Sequence, residues 1–265
     1  MKKWQITGLA AALVAGAAGM VGATTLAGPP PPPAPYVTLP STVVVANPDW
    51  AGPPTTQQRP ATLPAAPALP KASGAVLFST DFSSSDSSAW ASPLLPDSDM
   101  APLWLVQNGL LQQAGDVNQE SRLEESYRLT GQPTWHDLVF EASLLATSGE
   151  GAGLVWDVQD GSFYRVQLFP NLPNQAAKAR LERVTPSQVT VLAEAPLTAY
   201  AGYQPYVWQS LRVQSRGGHQ QVWVNGAPLF DVTDNTLTAG QVGLFAWADS
   251  GTRFDNVRVQ SASGQ

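Results

Sequence analysis

The stretch GQVGLFAWADSGTRFDNVRV, residues 240–259, decides the fold. It reads as two strands joined by a short turn. Val242, Leu244, Ala246 and Ala248 alternate with Phe245, Trp247 and Asp249, the period of two that puts successive side chains on opposite faces of a strand. Ser250-Gly251 supplies the turn, and FDNVRV, residues 254–259, runs back. An isolated hairpin is marginal in water, so this one must be buried against strands that arrive from far upstream.

Working outward, the same style of sequence begins near residue 74 and continues to the end. Residues 75–82, AVLFSTDF, read as a first strand, followed by a polar Ser/Asp loop. Residues 103–106 and 110–113 flank Asn108-Gly109, and residues 153–158 and 163–169 flank Asp160-Gly161. Both pairs match the backbone twist of a two-residue hairpin turn. Residues 138–146 form another apolar strand. Residues 180–184 and 189–193 flank TPSQ, residues 208–214 and 220–224 flank Arg216-Gly217-Gly218, and Asn225-Gly226 leads into residues 228–232. No amphipathic helical period follows the N-terminal segment. Many short strands punctuated by Gly and Asn/Asp turns predict an all-β, antiparallel two-sheet β-sandwich spanning residues 74–265.

Upstream of residue 74 the chemistry is different. Lys2-Lys3 precede an uncharged Ala/Gly-rich run over residues 6–23, which reads as a signal peptide or a membrane anchor within residues 1–27. Residues 28–73 open with five consecutive prolines, Pro29 to Pro33, and stay proline-rich. Proline fixes φ and donates no hydrogen bond, so this part reads as an extended linker of polyproline II character. Both readings of the first segment put the sandwich outside the cytoplasm. Membrane contact is expected only through an uncleaved N-terminal segment.

Composition excludes several classes. Net charge is -6, and with no basic cluster beyond Lys2-Lys3 a nucleic-acid partner is not expected. The chain has no cysteine, which removes disulfides, thiol nucleophiles and thiolate metal sites. Two histidines, His136 and His219, cannot make a His-rich zinc site and read as solvated turn residues.

Several elements together resemble a known group. AVLFSTDF, VQNGLLQQ, GAGLVWDVQDGSFYRVQLF, LRVQSRGGHQQVWVNGAPLFDVTD and the closing GQVGLFAWADSGTRFDNVRV follow one another as in the concanavalin A-like jelly-roll superfamily of lectins, laminin-G-like modules and glucanases. In style they are most similar to bacterial secreted 3-keto-disaccharide hydrolase-like domains. The resemblance implies two antiparallel sheets packed face to face, one presenting a concave surface that takes carbohydrate. It also implies a structural calcium in some members.

Catalytic signatures are missing from the sequence. Glycosidases of this superfamily carry Glu-x-Asp-x-x-Glu or Glu-x-Asp-x-Glu along one strand, and neither spelling occurs. The nearest carboxylates are Asp157 with Asp160, and Glu120 with Glu124 and Glu125; Asp160 is accounted for as the first residue of a turn. Glu141 lies on a strand.

Sugar binding needs an exposed ring face with polar neighbours. Trp223 alternates with Val222 and Val224 and shares a face with Gln221 and Asn225. Trp247 shares a face with Phe245, and Arg165 and Gln167 share one with Phe163. Trp223, Trp247, Arg165, Gln167 and Asn225 are therefore the candidate ligand-binding residues, pictured on one concave surface. The plainer reading of each ring is packing, and Trp156, alternating with Leu154 and Val158, reads as core. For calcium the candidates are Asp81 on the first strand and Asp255 on the last, which would need further oxygens from the backbone.

The function these readings favour is a non-catalytic carbohydrate-binding or adhesion module on a proline-rich stalk, with a polysaccharide or glycan as partner. Two alternatives stand beside it: a structural subunit of a membrane-anchored envelope assembly, bound to envelope proteins, and a glycoside-processing hydrolase acting through a carboxylate such as Asp157 or Glu141.

Overall fold

The computed structural model describes residues 65–71, 73–84, 88–92, 103–115, 125–146, 151–170, 176–199, 203–204, 206–247 and 251–262. The signal or anchor at residues 1–27, the linker up to residue 64, and Glu120 and Glu124 lie outside them. One compact unit spans Pro60–Gln265.

Fourteen strands lie among the described residues, in two antiparallel sheets. The first sheet holds β1 (Val76–Thr80), β2 (Trp104–Gln107), β3 (Leu110–Gln113), β5 (Leu138–Leu145), β10 (Gln209–Arg216), β11 (His219–Val224), β12 (Ala227–Thr233) and β14 (Arg253–Ser261). Its order is β12-β11-β10-β5-β14-β3-β2, with β1 alongside β14. The second holds β4 (Glu125–Thr130), β6 (Ala152–Gln159), β7 (Ser162–Phe169), β8 (Lys178–Thr185), β9 (Gln188–Pro196) and β13 (Gln241–Trp247), in the order β4-β13-β6-β7-β8-β9. The all-β sandwich read from the sequence is the fold observed.

The last two strands correct the opening expectation. β13 and β14 are not a hairpin. β13 pairs with β4 and β6 in the second sheet, and β14 pairs with β5, β3 and β1 in the first. Their apolar faces meet across the core instead: Val242 and Leu244 come from one side, and Phe254, Val257 and Val259 from the other. Face-to-face packing is favoured because β13 has no exposed face. Its outward Phe245 is also fully buried, which needs neighbours on both edges. β4 is a strand that the sequence reading did not single out. Its side chains invert the usual pattern: Ser126 and Thr130 are buried on one face while Tyr127 and Leu129 are buried on the other.

Between the sheets Trp156 is fully buried, as its alternation with Leu154 predicts, and its indole Nε1 donates to Gln220 Oε1 at 2.8 Å. That bond joins the second sheet to the first through a core that would otherwise strand an N–H donor. The turns are as expected at Asn108-Gly109, Asp160-Gly161 and Asn225-Gly226, where both residues of each pair take positive φ.

The described end of the proline-rich segment lies on the outer face of the first sheet. Pro67 O accepts from Ser143 Oγ at 2.9 Å and from Asn256 Nδ2 at 3.1 Å. Pro70 O accepts from the Arg258 guanidinium. Gln260 Oε1 takes the amides of Ser73 at 2.9 Å and Gly74 at 3.2 Å. A segment without its own hydrogen-bonded ladder thus satisfies its carbonyls and amides on side chains of β5 and β14.

Candidate functional site

Three of the candidate residues meet on the outer face of the second sheet. Residues directly opposite in neighbouring strands share a face, so the register lays out the surface row by row. One row runs Phe245, Gly153, Gln167, Arg180, Glu194 across β13, β6, β7, β8 and β9. The next runs Gly243, Val155, Arg165, Glu182, Val191. Trp247 and Phe169 stand beyond the first row, where the Trp247 amide donates to Gly151 O at 2.9 Å.

Two glycines shape this floor. A Cβ on Gly153 would lie 1.8 Å from Val166 O, so no side chain can stand between Phe245 and Gln167. A Cβ on Gly151, at φ +110°, would lie 2.5 Å from Gln167 Nε2, so the Gln167 amide fills the space above it.

Arg165 sits at the centre and is buried. Its Nε and NH2 donate to Glu182 Oε2 at 2.9 and 2.7 Å, and its NH1 donates to Glu125 Oε1 at 2.8 Å. The guanidinium also lies 4.7 Å from the centre of the Phe245 ring. Burial alone would lower its pKa, but the charges of Glu125 and Glu182 outweigh it and hold the group well above its ordinary value. Arg165 is therefore a permanent cation held in place by two carboxylates, and it orders the floor rather than reaching out to solvent. The Tyr127 hydroxyl donates to Glu125, and burial followed by that carboxylate's charge raises the Tyr127 pKa.

Toward the Trp247 end the surface becomes aromatic and basic. Phe169 and Trp247 pack edge to face, 6.4 Å between centroids. Lys178 Nζ and the Arg180 guanidinium lie 5.7 and 5.6 Å from the Phe169 ring centre. Both cations pair with Glu194, whose pKa the Arg180 hydrogen bond lowers. Trp247 is half-buried, whereas Phe169 and Gln167 are buried.

The other predicted residues lie elsewhere. Trp223 and Asn225 belong to β11 and its following turn, on the outer face of the first sheet, so they cannot share a surface with Trp247. Trp223 is covered by Arg212, 4.9 Å from its ring centre. Asn225 closes its turn, accepting from the Ser210 amide at 2.9 Å and donating to Gln209 Oε1 at 2.6 Å. Glu141 is buried on that same outer sheet face, paired with Arg258. Asp157 is buried at the far end of β6, and Asp160 forms the turn beyond it. These carboxylates do not converge. His136 and His219 are largely solvated, and His219 opens β11 rather than lying in the turn before it.

Asp81 and Asp255 do approach one another. Burial raises the Asp255 pKa, and Asp81's charge adds to it. Each carboxylate, however, already accepts from a neighbouring backbone amide: Ser83 N for Asp81 and Asn256 N for Asp255. Among the described residues no group of three acidic or histidine side chains gathers there or elsewhere. A hard cation wants six or more oxygens and would draw the remainder from backbone carbonyls.

The sequence reading missed Glu182 and Phe169, and named Glu125 among the nearest carboxylates without placing it at the site. Glu182 and Arg180 alternate with Ala179 and Leu181, a period-two signal that was available; Glu125 lay in the unrecognised β4.

A sandwich with these two sheets is a concanavalin A-like jelly roll of the lectin and glucanase type. The chain belongs to the family described as 3-keto-alpha-glucoside-1,2-lyase-like domains, whose model matches residues 78–260. No curated protein sequence matches it. Among solved structures it is similar to the carbohydrate-binding module CBM66 from Bacillus subtilis, with a TM-score of 0.52 at 17% identity over 65% of this chain and 96% of that one. It is also similar to the Bacillus licheniformis beta-glucanase, with a TM-score of 0.52 at 12% identity over 72% of this chain and 100% of that one. A third similarity is to the GH43 protein BlXynB from Bacillus licheniformis, with a TM-score of 0.51 at 15% identity over 69% of this chain but only 39% of that one. At these identities the likeness is one of fold.

Proposed function

We propose that this protein is an extracytoplasmic, non-catalytic carbohydrate-binding or adhesion module whose binding surface is the outer face of the second sheet. The observation that carries the reading is the half-buried Trp247 ring on one face with the partly exposed cations Lys178 and Arg180, backed by the buried Phe169 and Gln167. A ring surface bordered by cationic donors suits a sugar ring and its hydroxyls. Support also comes from the fold shared with a carbohydrate-binding module. The ligand class is a polysaccharide or glycan. The test is a glycan-array screen of the full chain followed by titration of the best ligand. Trp247→Ala should abolish binding at unchanged thermal midpoint, and Trp223→Ala should leave it intact. Binding that survives Trp247→Ala and disappears with Trp223→Ala would move the site to the first sheet.

A second reading is a glycoside-processing enzyme, favoured by the family description. Glu125 and Glu182 flank Arg165 on the same face and are its carboxylate candidates, in place of Asp157 and Glu141. This reading expects a glycoside to yield free sugar or an unsaturated elimination product in the presence of the protein, with loss of turnover in Glu125→Gln. Folded protein that binds glycans without turning them over supports the module.

A further inference from the structure

A cleft lies at the opposite end of the sandwich from Trp247. Asp157 follows Ala152 by five positions along β6, about 16 Å from the Trp247 end at strand spacing. There a cleft of about 510 Å³ is lined by His136, Asp137, Ser215, Gly217, Asn235 and Thr238. That volume falls in the range of small-molecule sites, about 300–1,000 Å³. The lining comes from three separate connections, ahead of β5, between β10 and β11, and between β12 and β13.

The floor has an unusual construction. Ser215 is almost fully buried, and its hydroxyl donates to Asp157 Oδ2 at 2.9 Å. Asp157 belongs to the second sheet and Ser215 to the first, so this bond crosses the sandwich. The Asp157 side chain has no solvent exposure, and its Oδ1 has no hydrogen-bond partner among the described residues. A buried carboxyl with one partner is costly as an anion. Burial, opposed by the Ser215 bond and reinforced by the charge of Asp137, raises its pKa to about 7. With the proton on, the carboxyl can donate to Ser215 Oγ, and the serine hydroxyl is released to donate into the cleft. The Asp157–Ser215 pair therefore presents either a donor or an acceptor at the floor.

The walls restrict what fits. Asp137 is held below the usual carboxylate range, first by the Gly217 amide, which donates to its Oδ1 at 2.9 Å. It stays ionised and disfavours an anionic ligand. No three acidic or histidine groups gather for a metal ion among the described residues. Ala239 is the one alanine in a lining otherwise made of glycines and polar residues, so an apolar ligand gains little. What remains is a neutral ligand rich in hydroxyls. Asp137 can accept from such hydroxyls, Asn235 and Thr238 can both donate and accept, and the floor pair adapts to either need.

We propose that this cleft is a second binding site, for a neutral polyhydroxylated ligand such as a single sugar residue or a small polyol. It is independent of the outer face of the second sheet.

The test is a two-dimensional NMR titration of the full chain with D-glucose and with myo-inositol. Saturable shifts are expected at the amides of Asp137, Gly217, Gly218 and Asn235. Ser215→Ala and Thr238→Val should each weaken binding about fivefold or more, the loss of one hydrogen bond to a bound hydroxyl. Trp247→Ala should leave these shifts and their midpoint unchanged. Thr238 is exposed, so Thr238→Val decides the matter if Ser215→Ala fails to fold. The proposal is overturned if neither probe saturates these amides, if Thr238→Val binds as tightly as the parent, or if Trp247→Ala removes the shifts.

Discussion

Arg165 is the residue on which the outer face of the second sheet turns. Removing it leaves Glu182 buried without a partner, and breaking a buried pair from one side costs about 3–5 kcal/mol. Arg165→Ala should lower the urea midpoint accordingly, whereas Arg165→Met with Glu182→Leu should recover most of that loss, because no charge is then stranded. Asp157 makes the opposite kind of prediction. Its pKa is raised to about 7 from 3.8, so the folded state binds the proton more tightly than the unfolded one. Its stabilising contribution is full below about pH 4, declines as pH rises through that interval, and is gone above about pH 7. Each unit of such a shift is worth about 1.4 kcal/mol. Asp157→Asn should therefore flatten the fall in stability between pH 4 and pH 8, gaining on the parent at the alkaline end. Denaturant titrations at several pH values check this, and a parent curve that rises with pH over that range would contradict it.

At the scale of elements, the hairpins were legible and the sheets were not. Asn108-Gly109, Asp160-Gly161 and Asn225-Gly226 dictate their turns through a local backbone preference that three or four residues carry. Whether β13 returns on itself or faces β14 across the core depends on β4, β6, β3 and β5, all far away in sequence. The same limit governed the candidate site. Period two put Arg165 with Gln167 correctly on β7, and Phe245 with Trp247 on β13, but Trp223 could be assigned to a face and not to a sheet. β4 went unseen because Ser126 and Thr130 point inward where apolar residues are expected. Two tests belong here. Gly153→Ala places a methyl 1.8 Å from Val166 O, against backbone that cannot yield. Loss of about 3 kcal/mol or more is expected, together with loss of the binding proposed for the outer face, because β6 and β7 must part. Truncation supplies the second. A chain beginning at residue 74 loses the carbonyls of Pro67 and Pro70 from Ser143, Asn256 and Arg258. It should be less stable than one beginning at residue 65 by about 1–3 kcal/mol, read as a difference in urea midpoint at equal slope.

Across the whole sandwich, the outer face of the second sheet and the cleft lie toward opposite ends, and the docked proline segment uses the outside of the first sheet. The three are therefore separable by mutation. The two ends of the sandwich itself are neighbours: β1 pairs with β14, and Val76 stands opposite Gln260. Joining residue 262 to residue 74 with a short glycine linker and opening the chain at Gly217-Gly218 should give a folded circular permutant, with the far-ultraviolet spectrum of the parent and a lower midpoint. The same pairing sets how the domain answers to force. If both ends are pulled, β1 and β14 separate from the Val76–Gln260 end one bond at a time, like a zipper. If instead the domain is held by one end and loaded through a ligand on the outer face of the second sheet, tension enters through β7 and β13 and must cross the packed core to reach β1. A molecule built this way would yield readily to its own two ends and hold firmly against what it has bound.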